Sequence, residues 1–329
     1  MGSSSGIDRR PRVVVHTDPG VDDAFALIYL ALHGGVTIEA VGSVHGNLGA
    51  RGAAENALRI LELVGMEDIP VAVGADLPLN REPPVYSGQI VHGTDGLGGN
   101  AGPAARTAPI RESAAEQLVQ MVRKFPGELT VLELGPLTNL ALALHLEPDL
   151  PSLVRDVVWL GGTIERFGNI TPDAEANTHH DPEAAEIVLA AGLPLTVVPL
   201  DATRGAWADD AFLTALEESP NPLAHKVNSW LGQYVETYTK LSSKRGCELF
   251  DLLAASVLTD PGVVRLAEPH EVTVELLGHG RGRTMIDRRP LPFAHTLPGR
   301  EPVTVIREID AEPVMRRMLD MLTAPMSET

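Results

Sequence analysis

The chain has little cysteine, little positive charge and no long apolar run. Its 329 residues include one cysteine, Cys247, so no intramolecular disulfide can form and we expect a reducing compartment, the cytoplasm. There are 26 Lys and Arg against 44 Asp and Glu, and a net charge of −18 argues against binding to nucleic-acid backbones or anionic membranes. No segment approaches the roughly 18 apolar residues of a membrane span. We therefore expect a soluble protein without nucleic-acid or membrane partners.

Short β-branched segments alternate with helical patterns as far as about residue 205. Strands that are apolar on both faces and separated by helices are typical of a parallel sheet covered on both sides. The sequence therefore predicts an α/β fold with an open, mostly parallel sheet and helices on both faces. The predicted strands are "RVVVHT", "TIEAVGSVHG", "PVAVGA", "LTVLELG", "DVVWLGG" and "LPLTVVPLD".

After residue 205 the pattern changes to a C-terminal helical and small β portion. Helices are predicted over 221–241 and 250–258, and a further helix closes the chain. Between them lie the β-like segments "EVTVEL", "RTMIDR" and "PVTVIRE". Because no Pro/Ser-rich linker and no internal repeat interrupts the chain, we predict a single domain over 12–322, preceded by a flexible tail over 1–11.

Polar motifs follow the predicted strands at the points where these strands end. In a parallel sheet, ligands bind at the carboxyl ends of the strands, so these motifs mark the expected site. They are "HTDPGVDD" (16–23), "VHGN" (44–47), "LGPLTN" (134–139), "LGGT" (160–163) and "LDATR" (200–204).

The first of these motifs places three aspartates within six residues, Asp18, Asp22 and Asp23. Capping of the following helix accounts for one of them, because a helix N-terminus favours a carboxylate. It does not account for Asp18 beside the other two. Hard cations such as Ca²⁺ coordinate six to eight oxygens, several of them from carboxylates. The cluster therefore predicts a cation site.

"HTDPGVDDAFAL" (16–27) resembles the N-terminal signature of the inosine-uridine nucleoside hydrolases, D-T/C-D-P-G-x-D-D-A. Further motifs stand in the family's order and spacing, so the resemblance extends from about residue 12 to 322. These are "VHGN", "LGPLTN", "LGG", "GNITPDAEANTHHDPEAA" (168–185) and "DLLAASVLTDP" (251–261). The resemblance implies the Rossmann-like nucleoside hydrolase fold. It also implies calcium-dependent hydrolysis of the N-glycosidic bond of a small-molecule ribonucleoside, and we expect a homo-oligomer, a dimer or a tetramer.

The resemblance also implies roles for residues of this chain. Asp18, Asp23, the backbone carbonyl of Leu134 and Asp251 would hold Ca²⁺, and Asp18 would take a proton from the attacking water. The residues implied to hydrogen-bond the ribose hydroxyls are Asp22, Asn47, Asn169, Glu175 and Asn177. Those expected near the base or the 5′-hydroxyl are His92, Tyr234, Tyr238 and Phe250.

Each of these roles has a simpler alternative. Asn47 and Asn169 follow glycines and could be turn residues. His92 could be an exposed residue of a Gly-rich loop, and Tyr234 and Tyr238, at helical spacing, could be core residues. For the whole chain, a phosphohydrolase with a D-x-D motif lacks support, because no Asp lies two residues after Asp18. A non-catalytic nucleoside-binding protein is the other alternative.

The sequence departs from the family signature at two positions. His16 stands where the signature has its first Asp, which we expect to support the metal ligands from behind. Phe250 precedes the last metal-binding Asp, where inosine-uridine-type members carry a His that helps the base to leave. Purine-specific members carry an aromatic residue there, so Phe250 favours a purine nucleosidase. A pyrimidine or modified-nucleoside hydrolase is the alternative.

Overall fold

The structure, a computed structural model, describes residues 10–80, 88–203, 205–286 and 300–325. Within these residues a large sheet lies between two layers of helices. The strands are β1 Arg12–Thr17, β2 Thr37–Ser43, β3 Val71–Ala72, β4 Leu129–Glu133, β5 Asp156–Leu160, β6 Leu195–Val198, β7 Trp207–Asp209, β8 Gly246–Glu248, β9 Val264–His270, β10 Val272–Val274, β11 Thr284–Ile286 and β12 Val303–Ile309. The helices are α1 Val21–His33, α2 Ala50–Leu63, α3 Gly88–His92, α4 Ala114–Lys124, α5 Thr138–Leu146, α6 Leu150–Leu153, α7 Ala176–His180, α8 Pro182–Leu189, α9 Asp210–Glu218, α10 Pro222–Ser242, α11 Phe250–Thr259 and α12 Ala311–Thr323.

The main sheet has the strand order β3-β2-β1-β4-β5-β6-β12-β9. Its strands are parallel except β9, which runs antiparallel to β12 at one edge. Val13 and Val15 of β1 belong to one hydrophobic core, while Val14 belongs to the core on the opposite face. Strands buried on both faces need apolar residues at every position, which is why the predicted strands read as continuous apolar runs. The predicted α/β architecture is confirmed.

The C-terminal portion differs from the prediction in its strands. β9 was not predicted, because it is an edge strand with charged residues, including Arg265 and Glu268, and little of it is buried. "PVTVIRE" joins the main sheet as β12, whereas "EVTVEL" and "RTMIDR" contribute the separate antiparallel pair β10-β11. The last two residues of "RTMIDR" lie outside the described residues, as do residues 1–9 of the predicted tail. Among the described residues, no helix has the length and apolar character needed to cross a membrane.

The fold directs two helix N-termini toward the carboxyl edge of the sheet. α1 follows β1 directly, and α11 packs against α1 in the same hydrophobic core. α1 is buried from Val21 to Ala31, because it lies between the sheet and neighbouring helices. Acidic residues in the first turns of α1 and α11 therefore meet at one place.

His16, the first departure from the family signature, faces Glu133 across the β1-β4 register. The His16 Nδ1 and Glu133 Oε1 atoms lie 2.8 Å apart, and both side chains are fully buried. On the other side of β1, Gly42 leaves room for the imidazole, since a Cβ there would lie 2.5 Å from His16 Cδ2. The imidazole ring of His16 therefore fills this space. A carboxyl group in its place would lie against the carboxyl group of Glu133.

We predict that His16→Asp, which restores the residue of the family signature, destabilises this chain. It removes the hydrogen-bond partner of a buried carboxyl group and places a second carboxyl group beside it, and leaving a buried polar group unsatisfied costs about 1–3 kcal/mol. Urea unfolding measures the loss. The double variant His16→Asp/Glu133→Gln should recover part of it, because the Gln amide can donate to the new carboxylate. Equal stability of His16→Asp and the wild type would contradict the prediction.

Candidate active site

Four buried carboxylates meet at the N-termini of α1 and α11. Asp18 lies in the turn after β1, Asp22 and Asp23 in the first turn of α1, and Asp251 in the first turn of α11. None is more than 5% exposed. Asp22, Asp23 and Asp251 each present a carboxylate oxygen, and these oxygens lie within 4.8 Å of one another. The helix N-termini favour negative charge here, but they do not neutralise four carboxylates.

Asp23 is held by hydrogen bonds from the end of β1, from the turn that precedes α1 and from the loop that follows β2. Its Oδ1 accepts from the Thr17 hydroxyl at 2.5 Å, and its Oδ2 accepts from the Gly20 backbone N–H at 3.0 Å. The side-chain amide of Asn47 donates to Oδ2 at 3.3 Å. Asp23 therefore caps its own helix and has a fixed orientation, as the N3 residue of a capping box does.

Asp18 is packed against backbone that only glycine permits. The Asn47 backbone N–H donates to its Oδ2 at 2.6 Å. A Cβ at Gly46 would lie 1.9 Å from Oδ2, and one at Gly135 would lie 2.8 Å from Oδ1. The glycines of "VHGN" and "LGPLTN" therefore make room for the carboxylate of Asp18.

Two carboxylate oxygens of this cluster have no hydrogen-bond partner among the described residues, Asp18 Oδ1 and Asp251 Oδ1. A buried carboxylate without a partner is strongly unfavourable unless a cation neutralises it. All the available ligand atoms are oxygens, which is the donor set of Ca²⁺ and Mg²⁺. The residues present thus fit a hard divalent cation.

The ionisation of these groups reflects their crowding. Burial, followed by the charge of Asp23, raises the pKa of Asp22 to about 7 and raises that of Asp18 well above its usual value. Burial likewise raises the pKa of Asp251 well above its usual value, with the charges of Asp23 and Asp22 adding to the effect. Without a cation, the cluster therefore opposes its own full ionisation at neutral pH.

The residues expected near the ribose are fixed by hydrogen bonds to the ends of β4 and β5 and at the start of α7. Asn177 donates its side-chain amide to the carbonyls of Leu134 (2.8 Å) and Leu160 (3.0 Å). Glu175 caps α7 by accepting the backbone N–H groups of Asn177 and Thr178. The Oδ1 of Asn177 and the second lone pair of the Leu134 carbonyl are not used by these bonds. Asn169, which is exposed, accepts the backbone N–H of Ala176 at 2.9 Å.

Aromatic rings also lie beside the carboxylates. His92 lies over Tyr234, with ring centroids 5.0 Å apart, and its Nδ1 accepts the Val21 backbone N–H at 3.1 Å. Burial lowers the pKa of His92 to about 3, so the ring is neutral and carries its proton on Nε2. The ring of Tyr238 packs against those of Tyr234 and Phe250, with ring centroids 4.9 Å and 6.4 Å apart, respectively. Tyr234 is fully buried and donates its hydroxyl to the Glu248 carbonyl, so it is also a core residue.

All of the site residues predicted from the sequence except Asp18 line one small cleft. Asp18 is not among its lining residues and lies buried beside them. The predicted residues that line the cleft are Asp22, Asp23, Asn47, His92, Leu134, Asn169, Glu175, Asn177, Tyr234, Tyr238, Phe250 and Asp251. Their proposed contacts with cation and substrate stay predictions.

Several residues of the site and its surroundings had no role predicted from the sequence. Thr17 orients Asp23, and Arg166 and Glu248 line a second cleft that adjoins the first. Asp201, the Asp of "LDATR", holds the turn that carries Arg166. A polar residue directly after a predicted strand was a usable signal for Asp201, whereas Arg166 and Glu248 are far apart in sequence and carried none.

Comparison with known proteins identifies relatives along most of the chain. The family model described as inosine-uridine preferring nucleoside hydrolase matches residues 13–316. A probable uridine nucleosidase 1 from Oryza sativa subsp. japonica is 34% identical, over 99% of this chain and 100% of its own length. A pyrimidine-specific ribonucleoside hydrolase RihA from Shewanella woodyi is 35% identical, over 84% of this chain and 88% of its own. The solved structure of a plant nucleoside hydrolase, PpNRh1, has a TM-score of 0.91 at 32% identity, over 96% of this chain and 100% of that one.

We predict that Asp22→Asn stabilises the protein at pH 8 in the presence of a chelator. Because burial raises the folded-state pKa of Asp22 from 3.8 to about 7, its contribution to stability is present below about pH 4 and is lost as the pH rises to 7. Asn does not titrate, so the stability gained by the variant should grow by at most about 1.4 kcal/mol per pH unit over this range. Urea unfolding at pH 5, 6, 7 and 8 measures it. A pH-independent difference between variant and wild type would be the contrary result.

Proposed function

Because this chain belongs to the inosine-uridine preferring nucleoside hydrolase family, we propose that it is a calcium-dependent enzyme that releases the base and ribose from ribonucleosides, with pyrimidine nucleosides such as uridine preferred. One observation carries the proposal. Buried carboxylates with unpaired oxygens border a cleft whose remaining walls are hydrogen-bonding side chains and aromatic rings. Such a cleft offers oxygens to a cation, hydrogen bonds to a sugar and flat surfaces to a base.

The preference for purines that Phe250 suggested is replaced by this proposal. The uridine nucleosidase and the pyrimidine-specific hydrolase described above are similar to this chain over most of its length. Phe250 is largely buried and packs edge-on against Tyr238, so it forms part of an aromatic group and does not face the base alone. One residue of such a group is a poor guide to the base that the group accepts.

Calcium fits the ligands that the structure offers. Asp18, Asp23, Asp251 and the carbonyl of Leu134 would hold it, and Asp22 has an oxygen within 4.8 Å of those of Asp23 and Asp251. When bound, Ca²⁺ lowers the pKa of water and fixes its position. It would also lower the raised pKa values of the carboxylates, since an opposite charge favours their ionised form.

The chain's own residues would supply the remaining chemistry. Asp18 has one oxygen anchored by Asn47 and the other without a partner among the described residues, so it is placed to accept the proton of the water that attacks C1′. The ribose gains positive charge as the glycosidic bond breaks, and the surrounding carboxylates stabilise that charge. Asn177 and Glu175, already fixed by backbone bonds, would hold the hydroxyls without reorganisation.

Phe250 has no hydrogen-bond donor to offer to the departing base, so another residue must supply one. Burial raises the pKa of the Tyr238 hydroxyl well above its usual value, so this group stays protonated at neutral pH. Tyr238 contacts Phe250 and lines the cleft, and the Nε2–H of His92 is a second donor beside it. Tyr238 and His92 thus replace the missing histidine as candidate donors.

We predict that Ca²⁺ raises the melting temperature of the protein. A cation at 100 times its Kd stabilises the protein by about 2.7 kcal/mol. Calorimetry with Ca²⁺ or with a chelator measures this effect.

We predict that Asp18→Asn abolishes turnover while the fold survives. Loss of the general base costs roughly 10²–10⁴-fold in kcat. Assays for free ribose measure this effect. Asp156→Asn is the control, because Asp156 lies at the opposite end of β5. Near-normal turnover by Asp18→Asn would place the base elsewhere.

We predict that uridine is hydrolysed with a higher kcat/KM than either inosine or adenosine, and that 2′-deoxyuridine is at least about 10²-fold poorer than uridine. The second effect follows because removing a bound hydroxyl leaves buried polar partners unpaired. Release of ribose and of free base from a nucleoside panel measures both. A higher kcat/KM for inosine or adenosine would restore the purine interpretation of Phe250.

A further inference from the structure

A second cleft continues the candidate active site on the side of Phe250. Its empty space is ≈ 660 Å³, and it shares Asn169, Leu200 and Phe250 with the carboxylate cleft. Its own lining includes Arg166 and Glu248, two charged groups of opposite sign. A substrate whose sugar lies at the carboxylates can therefore extend its other end toward this charged pair.

Arg166 is held in position by its backbone and by its side chain. The Asp201 carboxylate accepts three consecutive backbone N–H groups, those of residues 164, 165 and 166, at 2.7–3.0 Å. The Thr163 hydroxyl donates to the Arg166 carbonyl at 2.9 Å, and the Arg166 Nη1 donates to the Leu200 carbonyl at 2.8 Å. The guanidinium is thus oriented before any ligand binds, which reduces the entropy lost on binding.

Glu248 is held by the short β7-β8 pair, where it lies opposite Trp207. Its backbone carbonyl accepts the Tyr234 hydroxyl at 2.8 Å, which ties the end of β8 to α10. The Arg166 Nη2 and Glu248 Oε1 atoms are 3.7 Å apart, and the two side chains are 28% and 23% exposed. This distance is longer than that of a hydrogen bond, so a ligand between the two groups can form a shorter hydrogen bond with each of them.

We propose that Arg166 and Glu248 read the hydrogen-bonding edge of the leaving base and select bases in which an N–H adjoins a carbonyl. The proposal rests on the function proposed above. Uracil, hypoxanthine and guanine offer an N–H to Glu248 and a neighbouring oxygen to Arg166. Cytosine and adenine present the reverse order, an amino group beside an unprotonated ring nitrogen. With the base in the same position, the ring nitrogen faces the Glu248 carboxylate and the amino group faces the Arg166 guanidinium. The pair therefore attracts one class of base and repels the other.

A salt bridge that only joins the turn at 163–166 to β8 is the alternative role for this pair. Such a bridge would support the cleft equally for every substrate. A recognition pair instead changes the ratio of rates between bases. The ratio of kcat/KM values for two bases is therefore the readout that separates them.

The test compares Glu248→Gln with the wild type, with Ca²⁺ present, on uridine, cytidine, 3-methyluridine, inosine, adenosine and p-nitrophenyl riboside. A Gln amide can turn to accept from an N–H or donate to a bare nitrogen, so it should tolerate both classes of base. We expect the uridine/cytidine and inosine/adenosine ratios to fall about 10-fold or more, and the penalty for 3-methyluridine to shrink. The p-nitrophenyl riboside, which lacks this edge, should change less than about two-fold, since a polar contact contributes to discrimination only where it is made.

Two further variants complete the design. Arg166→Met should weaken hydrolysis of uridine and inosine and leave p-nitrophenyl riboside hydrolysis nearly unchanged. Glu183→Gln is the matched control, because Glu183 pairs with Arg281 at similar exposure outside both clefts. It should leave every ratio unchanged.

The outcomes distinguish this proposal from the one on which it rests. If the wild type hydrolyses p-nitrophenyl riboside and Glu248→Gln keeps wild-type ratios between bases, the recognition role is wrong and the hydrolase function stands. A proportional loss on all substrates, including p-nitrophenyl riboside, would assign the pair a structural role and overturn the proposal. If the wild type hydrolyses no riboside with Ca²⁺ present, the proposed function fails, and the recognition role fails with it.

Discussion

The packing of four buried carboxylates around one point is the constraint on which the rest of the structure depends. Asp18, Asp22, Asp23 and Asp251 are brought there by the end of β1 and the starts of two helices, and burial raises the pKa of each. The fold tolerates this arrangement through helix N-termini, backbone N–H donors and glycines, whose lack of a side chain leaves room for the carboxylate oxygens. It remains unfavourable at neutral pH until a cation binds, so stability and function oppose each other here.

Much of the architecture and much of the site could be predicted from the sequence, because both rest on local signals. Continuous apolar runs mark strands buried on two faces, and polar motifs after them share one edge of a parallel sheet. These signals located the edge of the sheet where Asp18, Asp22 and Asp23 lie, whereas the resemblance to a known family implied most of the other residues of the carboxylate cleft. Reasoning from the sequence failed at β9, whose edge position needs no apolar pattern. It also failed for His16 and Glu133, since a contact between residues 117 positions apart depends on the register of β1 and β4.

Base preference illustrates a further limit of motif reasoning. Phe250, considered only as the residue that precedes Asp251, suggested purines. In the structure its ring is one of a contiguous group that includes Tyr238 and Tyr234, and the cleft beyond it is polar. Stacking on aromatic rings is tolerant of base identity, because every base has a π-face, whereas the donors and acceptors of its edge differ. A specificity determinant is therefore expected among the polar residues, which no motif marked.

The two ends of the joined clefts are built from different parts of the fold. The carboxylate end rests on the central strands and on α1 and α11, where Gly46 and Gly135 have little freedom to change. The Arg166–Glu248 end rests on a turn held by Asp201 and on the β7-β8 pair, which lies outside the main sheet. β8 leads into α11, so Glu248 and Asp251 are linked through the chain, whereas Arg166 is held by Asp201 and by the Leu200 carbonyl. Substitution of Arg166 can therefore alter the proposed base contacts while the carboxylates stay in place. The part of the fold that would hold the sugar is therefore largely distinct from the part that would hold the edge of the base.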